Sequence, residues 1–302
     1  MKNKILMVTS SHDLTCDYLT ILYRGVSFFR LDFDKFSTYA IELNGGGFRI
    51  ESDEGAIDSS TCRSIYYRKP MVEDLSEVFE EKYHSFVHKE AYSLVEGIAE
   101  SFEGRCLTRP SIMRRANNKA VQLILAKETG FKLPLSSITN CSSNILNLGH
   151  GDKIVKPVAV GVVVSEGVKE FVQTNMLDEL VSTEKLKYSP AYFQEYINKD
   201  YEVRSTFVNG VAFTVKIISE NKVDWRKSNN KVSYEEVQLP SVIYSKCVLF
   251  MKKLDMSFGC FDFIVSGGEY YFLEMNANGQ WAWLEREVGV RISREIVGYL
   301  SE

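Results

Sequence analysis

Three residues near the carboxyl end, Asp262, Glu274 and Asn276, carry hard oxygen atoms at a spacing that a β-hairpin would bring together. The stretch FLEMNANGQW, residues 272–281, begins as a buried strand and then places Glu274 and Asn276 two positions apart. In a strand, residues i and i+2 share a face. Asp262 sits in the preceding apolar run GCFDFIV. Phe261, Phe263 and Val265 align with Tyr271, Leu273 and Met275 only across an odd-numbered loop such as Gly267-Gly268-Glu269. That register sets Asp262 opposite Glu274, whereas a two-residue loop would put them on opposite faces. Two carboxylates and an amide suit Mg²⁺, which keeps waters and takes phosphate oxygens in its remaining positions. The competing reading is a polar hairpin face turned to solvent.

Other residues gain meaning only beside that cluster. Lys156 stands in the middle of the apolar run KIVKPVAV, where a lysine either reaches an edge or meets a buried anion. In FQEYINKDYEVR, Gln194 and Glu195 precede Tyr196 and Ile197, whose open backbone groups suit the edge of an adenine; Glu202 follows seven positions after Glu195 and suits vicinal hydroxyls. His84 and His88 have metal-pair spacing but lack the glutamate of a metalloprotease helix, so they read as helix histidines. Arg114 and Arg115 read as a solvated face, Trp281 and Trp283 are open between core and site, and Gly161 and Gly167 bracket a candidate phosphate-covering loop.

The elements that must carry these groups form an α+β pattern in three successive lobes. Residues 4–9, 25–32 and 64–70 read as strands, 12–24 and 72–101 as helices, and 39–52 as a hairpin about Gly45–Gly47. A helix capped by Ser111 is expected after Pro110, with Ala116, Ala120, Leu123 and Ile124 on one face and Gly130 closing it. Strands at 132–139, 153–160 and 192–197 follow, with a short helix at 177–180. A hairpin turns at Asn209–Gly210 in 201–219, and helices cover 241–254 and 290–300. The expected lobes are 1–110, 111–191 and 192–302.

Composition narrows the classes. A net charge of −4 gives no global basic footprint for nucleic acid. No stretch approaches the ~20 apolar residues of a membrane span. The opening MKNKILMVTSSHD reads as a first strand rather than a signal segment. The six scattered cysteines form no CxxC pair and read as reduced thiols, so a cytoplasmic setting is expected.

Taken in order, Lys119, Lys156, QEYI followed by Glu202, Asp262 and E-x-N at 274–276 resemble the ATP-grasp fold. Within it, YYRKP (66–70), TRPSIMRRANNKAVQLILAKETGFKLPLSSITN (108–140), DWR (224–226) and EMNANGQWAWLE (274–285) are similar to signatures of the graspetide synthetases, the microviridin-type peptide macrocyclases. The likeness covers nearly the whole chain. Ala277 stands where the family usually has Pro, and Lys69 and Lys216 stand where Arg and Lys alternate. The resemblance implies ATP and Mg²⁺ as cofactors, with Glu274 bridging two ions and Asp262 and Asn276 holding one each. It implies Lys119 and Lys156 at the phosphates, Gln194, Glu195, Tyr196 and Ile197 at the base, and Glu202 at the ribose. Arg204, Lys216 and Arg226 are the implied catalytic residues, Arg226 at the γ-phosphate; Arg68, Asp224, Asn278 and Gln280 are implied at the substrate. The implied partner is a ribosomal precursor peptide, leader and core, acted on by a homodimer without nucleic acid or membrane. A different ATP-grasp ligase, joining an amino acid to a small molecule or a protein tail, is the second reading. A non-catalytic ATP-binding regulator is the third.

Overall fold

The structure, a computed structural model, describes residues 3–159, 161–165, 168–172, 174–177, 183–221 and 230–302. The amino-terminal part is built on a parallel sheet in the order Ser27–Asp32, Lys4–Thr9, Cys62–Tyr67, Arg105–Leu107. An antiparallel three-stranded sheet of Ala40–Asn44, Gly47–Ser52 and Gly55–Asp58 lies beside it; its third strand was not foreseen. The helix expected from residue 72 begins at Glu81 and runs to Ser101. His84 and His88 explain the difference: their Nε2 atoms lie 2.8 Å from the carbonyl oxygens of Phe79 and Glu73, tying the non-helical approach onto the helix.

The single helix expected after Pro110 is two, Pro110–Ala116 and Lys119–Glu128. Asn118 breaks them apart: its side chain caps the second by accepting from the backbone N–H of Ala120 and Val121. Ser111 is no cap, since its N–H and hydroxyl both donate to the Glu100 carboxylate. The buried face of the second helix is Gln122, Leu125 and Ala126, with Ile124 exposed. Gly130 follows with φ +77, as a helix end requires.

A four-stranded antiparallel sheet comes next, in the order Asn175–Met176, Lys153–Lys156, Ala191–Glu195, Ser136–Thr139. Val162–Ser165 and Val168–Phe171 pair as a separate ribbon. The helix expected at 177–180 and Gly167 fall outside the described residues, apart from Leu177.

The last sheet has five strands in the order Val232–Glu236, Val211–Ser219, Tyr201–Val208, Phe258–Ser266, Glu269–Asn276. One face buries Val203, Phe207, Phe261, Phe263 and Phe272 under helix Ser241–Lys253 and Phe131. Its final hairpin corrects the expected loop. The turn is two residues, Gly267 and Gly268, both at positive φ, with Ser266 facing Glu269. The register then shifts between Phe263 and Asp262, so that Leu273 is an extra residue. This bulge restores Asp262 opposite Glu274, and the inward pair beside it is Phe263–Phe272 rather than one using Leu273. At the outer edge the Phe272 N–H bonds Lys132 O at 2.9 Å, so the edge is covered where the ladder is disturbed.

Candidate active site

The face of the five-stranded sheet opposite its aromatic core carries the chemistry. Cross-strand pairs share a face, so Arg204, paired with Asp262, and Glu274, also paired with Asp262, point together. Asn276, two residues on, joins them. Its Nδ2 lies 2.9 Å from Asp262 Oδ2 and 3.3 Å from Glu274 Oε1. Both Asp262 oxygens also accept from Arg204 Nη1, at 2.8 and 2.9 Å. Burial works against the Arg204 charge, but Asp262, together with Cys260 and Glu274, outweighs it and raises the guanidinium above its ordinary pKa.

These residues fit a hard divalent cation. A single atom, Asn276 Nδ2, already reaches both carboxylates, so a cation near that place would meet an oxygen from each. Turning the amide over exchanges its nitrogen for Oδ1, giving three oxygen donors.

A second sheet and the helix Lys119–Glu128 supply two lysines. Lys156 is buried, with Nζ 3.4 Å from Gln194 Oε1 and 4.4 Å from the centre of the Tyr192 ring. Burial lowers its pKa to about 8, against the pull of Glu274 and with a push from Lys119. The field of Glu274 also reaches Tyr192, the cross-strand partner of Lys156. Lys119 begins its helix at the Asn118 cap and donates to Pro157 O at 2.6 Å.

One expected partner falls elsewhere, and others have neighbours of their own. Lys216 pairs with Val203, not Arg204, so it points from the opposite face. There its Nζ lies 4.6 Å from the Tyr201 ring centre and 3.6 Å from Glu235. Arg204 and Lys216, both expected among the catalytic residues, therefore lie on opposite faces of the sheet. Glu195 points away from Gln194, and its Oε1 accepts from the Leu135 N–H at 2.8 Å. Tyr196 N–H bonds Asp152 O at 2.8 Å, and Ile197 is half-buried just past the strand end. Glu202 is ion-paired to Lys199, a lysine only 4% exposed that sequence reasoning passed over. Asp224 and Arg226 lie outside the described residues.

Arg68, Asn278 and Gln280 do come together, around a buried arginine. Arg68 is 0% exposed. It donates to Asn278 Oδ1 at 3.0 Å, Gln280 Oε1 at 2.6 Å and Thr15 Oγ1 at 3.1 Å. Its Nε lies 3.0 Å from Asp13 Oδ2 without the alignment of a hydrogen bond. Trp281 is core, its indole N–H donating to Tyr66 Oη at 3.2 Å, while Trp283 is half-buried against Tyr234. Two further residues were missed. The Gln122 side chain bonds both the N–H and C=O of Met275 at 2.8 Å, and Asn117 Oδ1 accepts from Ala277 N–H at 3.2 Å. Together they clip the strand that bears Glu274 and Asn276. A glutamine at helical spacing from Leu125 on an apolar face was the available signal.

The model described as MvdD pre-ATP grasp domain matches residues 4–114. Among solved structures, the chain is similar to the Chryseobacterium gregarium RiPP-associated ATP-grasp ligase in complex with ADP and a leader and core peptide. The two share 27% identity over 99% of this chain and 96% of that one, at TM-score 0.86. It is similar to macrocyclase MdnB from Microcystis aeruginosa at 28% identity over 99% of each chain, TM-score 0.81. Macrocyclase MdnC of the same organism, bound with precursor peptide MdnA, matches at 25% identity over 98% of this chain and 99% of that one, TM-score 0.87. No curated protein matches the sequence.

Proposed function

We propose that this chain, an ATP-grasp ligase like those of RiPP maturation, closes rings in a ribosomal precursor peptide. A carboxylate of an Asp or Glu side chain attacks the γ-phosphorus of ATP, giving an acyl phosphate and ADP. A Ser or Thr hydroxyl or a Lys amine of the same peptide then attacks the acyl carbon. Phosphate leaves, a proton is released, and an ester or amide remains. The observation that carries this reading is the cluster of Asp262, Glu274 and Asn276, with Lys156 buried in the neighbouring sheet in the field of Glu274. It is supported by likeness along nearly the whole chain to a RiPP-associated ATP-grasp ligase in complex with a leader and core peptide and to a macrocyclase bound with a precursor peptide.

Asp262, Glu274 and Asn276 would hold Mg²⁺, which supplies Lewis-acid and templating chemistry at phosphate oxygens. In this reading Lys119 and Lys156 bind the phosphates, Gln194 to Ile197 the base and Glu202 the ribose. Arg226 binds the transferring phosphoryl group, where a planar fork fits. Asp224, Asn278 and Gln280 border the peptide. Arg204 holds Asp262 rather than phosphate, and Lys216 lies on the other face. We read the active species as a homodimer, tested by light scattering.

The test is incubation with ATP, Mg²⁺ and the precursor encoded beside the gene. The expected result is loss of one water mass per ring, with ADP formed. Arg226→Ala should abolish that loss while sparing ATP binding. A mass gain equal to an amino acid would favour the small-ligase reading instead.

Lys156 gives a pH signature. Between pH about 8 and its ordinary ~10.4 the unfolded chain binds the proton that the folded chain has lost, so this group makes free-protein stability rise with pH across that window. A triphosphate beside the amine raises its pKa again. Nucleotide binding at pH 8.5 should therefore take up a proton, and affinity should weaken as pH climbs past about 8. Calorimetry in buffers of different ionisation enthalpy reads the proton directly. No uptake in the wild type, or uptake persisting in Lys156→Met, would remove Lys156 from the phosphate site.

A further inference from the structure

We propose that Asp13 and Arg68 are positioning residues for the ligase site: their charge pair at the end of the amino-terminal sheet holds the Asn278–Gln280 loop and through it aims Arg204 at Asp262. The inference rests on the ligase reading above. Each link is a contact. Asp13, 8% exposed, uses Oδ1 to cap helix Leu14–Leu22, accepting from Thr15 N–H at 2.9 Å. Its Oδ2 accepts from Thr9 Oγ1 at 3.1 Å and faces Arg68 Nε. Arg68 grips the Asn278 and Gln280 side chains at once, with Thr15 bracing Gln280 Oε1 at 3.1 Å. The carbonyl of Gln280 accepts from Arg204 Nη2 at 3.1 Å, and Arg204 Nη1 holds both Asp262 oxygens.

The loop has no slack to absorb a shift. A Cβ on Gly279 would lie 2.5 Å from Cys260 Sγ and 2.8 Å from Arg204 Nη2, so only glycine lets the backbone rest there. Capping the helix needs no charge on Asp13, since a neutral amide oxygen accepts as well. Filling space at position 68 needs no arginine, because a buried ion pair is no more stable than a well-packed apolar substitute. An arginine beside a carboxylate does one thing those cannot: its fixed fork orients several acceptors together. Groups that orient metal ligands from behind typically change metal affinity when removed.

The test is Mn²⁺ binding to the protein–ADP complex, read by electron paramagnetic resonance, alongside thermal melting. Asp13→Asn keeps the cap and removes the charge. Gln280→Leu removes an acceptor at an exposed position and leaves the buried pair intact. Both variants should bind Mn²⁺ about 10–100-fold more weakly, with ADP affinity in metal-free buffer unchanged. If both lower the melting temperature while Mn²⁺ affinity stays at the wild-type value, the pair is only a structural support and the proposal fails. Should Asp13→Asn not fold, Gln280→Leu decides alone. No peptide enters this experiment, so a wild-type protein that binds Mn²⁺ and ADP but leaves every precursor unmodified defeats the macrocyclase reading separately.

Discussion

Replacing Glu274 with glutamine is expected to slow peptide modification roughly a thousandfold, equivalent to about 4 kcal/mol of transition-state stabilisation. The substitution keeps volume and one acceptor oxygen, so the hairpin and its bulge should persist. What changes is charge. Glu274 pairs across the hairpin with Asp262, accepts from the Asn276 amide and acts through its field on Lys156. Its loss removes an anionic metal ligand. It also removes the carboxylate that favours the Lys156 ammonium, leaving burial and Lys119 to lower that pKa further. Nucleotide affinity should therefore fall more steeply with pH in the variant than in the wild type. Single-turnover rates and nucleotide calorimetry at pH 7 and 8.5 measure both effects. A folded variant within tenfold of the wild-type rate would refute the assignment of Glu274 to the metal.

Arg204→Met should destabilise the metal-free protein by about 2–4 kcal/mol, because removing one partner leaves the other charge uncompensated. The lower end is expected, since the Asp262 side chain keeps 19% of its surface and stays partly solvated. Mg²⁺ with ADP should recover much of the loss, because a cation on Asp262 replaces the lost guanidinium. Urea unfolding with and without Mg-ADP measures this. An equal loss in both conditions would show that Arg204 and the metal do not share that carboxylate.

Much of the site was legible because alternation along a strand is a strong constraint. Phe261, Phe263 and Val265 fix which way Asp262 points, and Asn276 follows Glu274 by the same rule. Lys156 stood out as a charge in an apolar run and is indeed buried. The bulge was not legible: Phe272 and Leu273 are adjacent and both apolar, so either serves as the inward residue on paper, and only the two-residue glycine turn chooses. Lys216 was misplaced although its register was legible: the two-residue turn at Asn209–Gly210 sets Val208 opposite Val211 and hence Lys216 opposite Val203. Asp13, Lys199 and Gln122 were missed because nothing local marks them. Gln122 meets Met275, and Asp13 meets Arg68, only through tertiary packing.

The amino-terminal sheet is covered by residues 281–300, which are made long after it. Ile5, Met7, Leu19, Tyr66 and Leu107 share one core with Trp281, Leu284, Ile292, Ile296 and Leu300. The Ser64 hydroxyl donates to Leu300 O at 2.7 Å. During synthesis, Asp13 and Arg68 leave the ribosome long before Asn278 and Gln280 exist, so the nascent sheet must wait with an apolar face and a charged pair open to water. A fragment ending near residue 114 would carry that face permanently and would be expected to aggregate or to need a chaperone. Emergence of residues 278–300, rather than completion of the first lobe, is thus the event that lets this sheet finish folding.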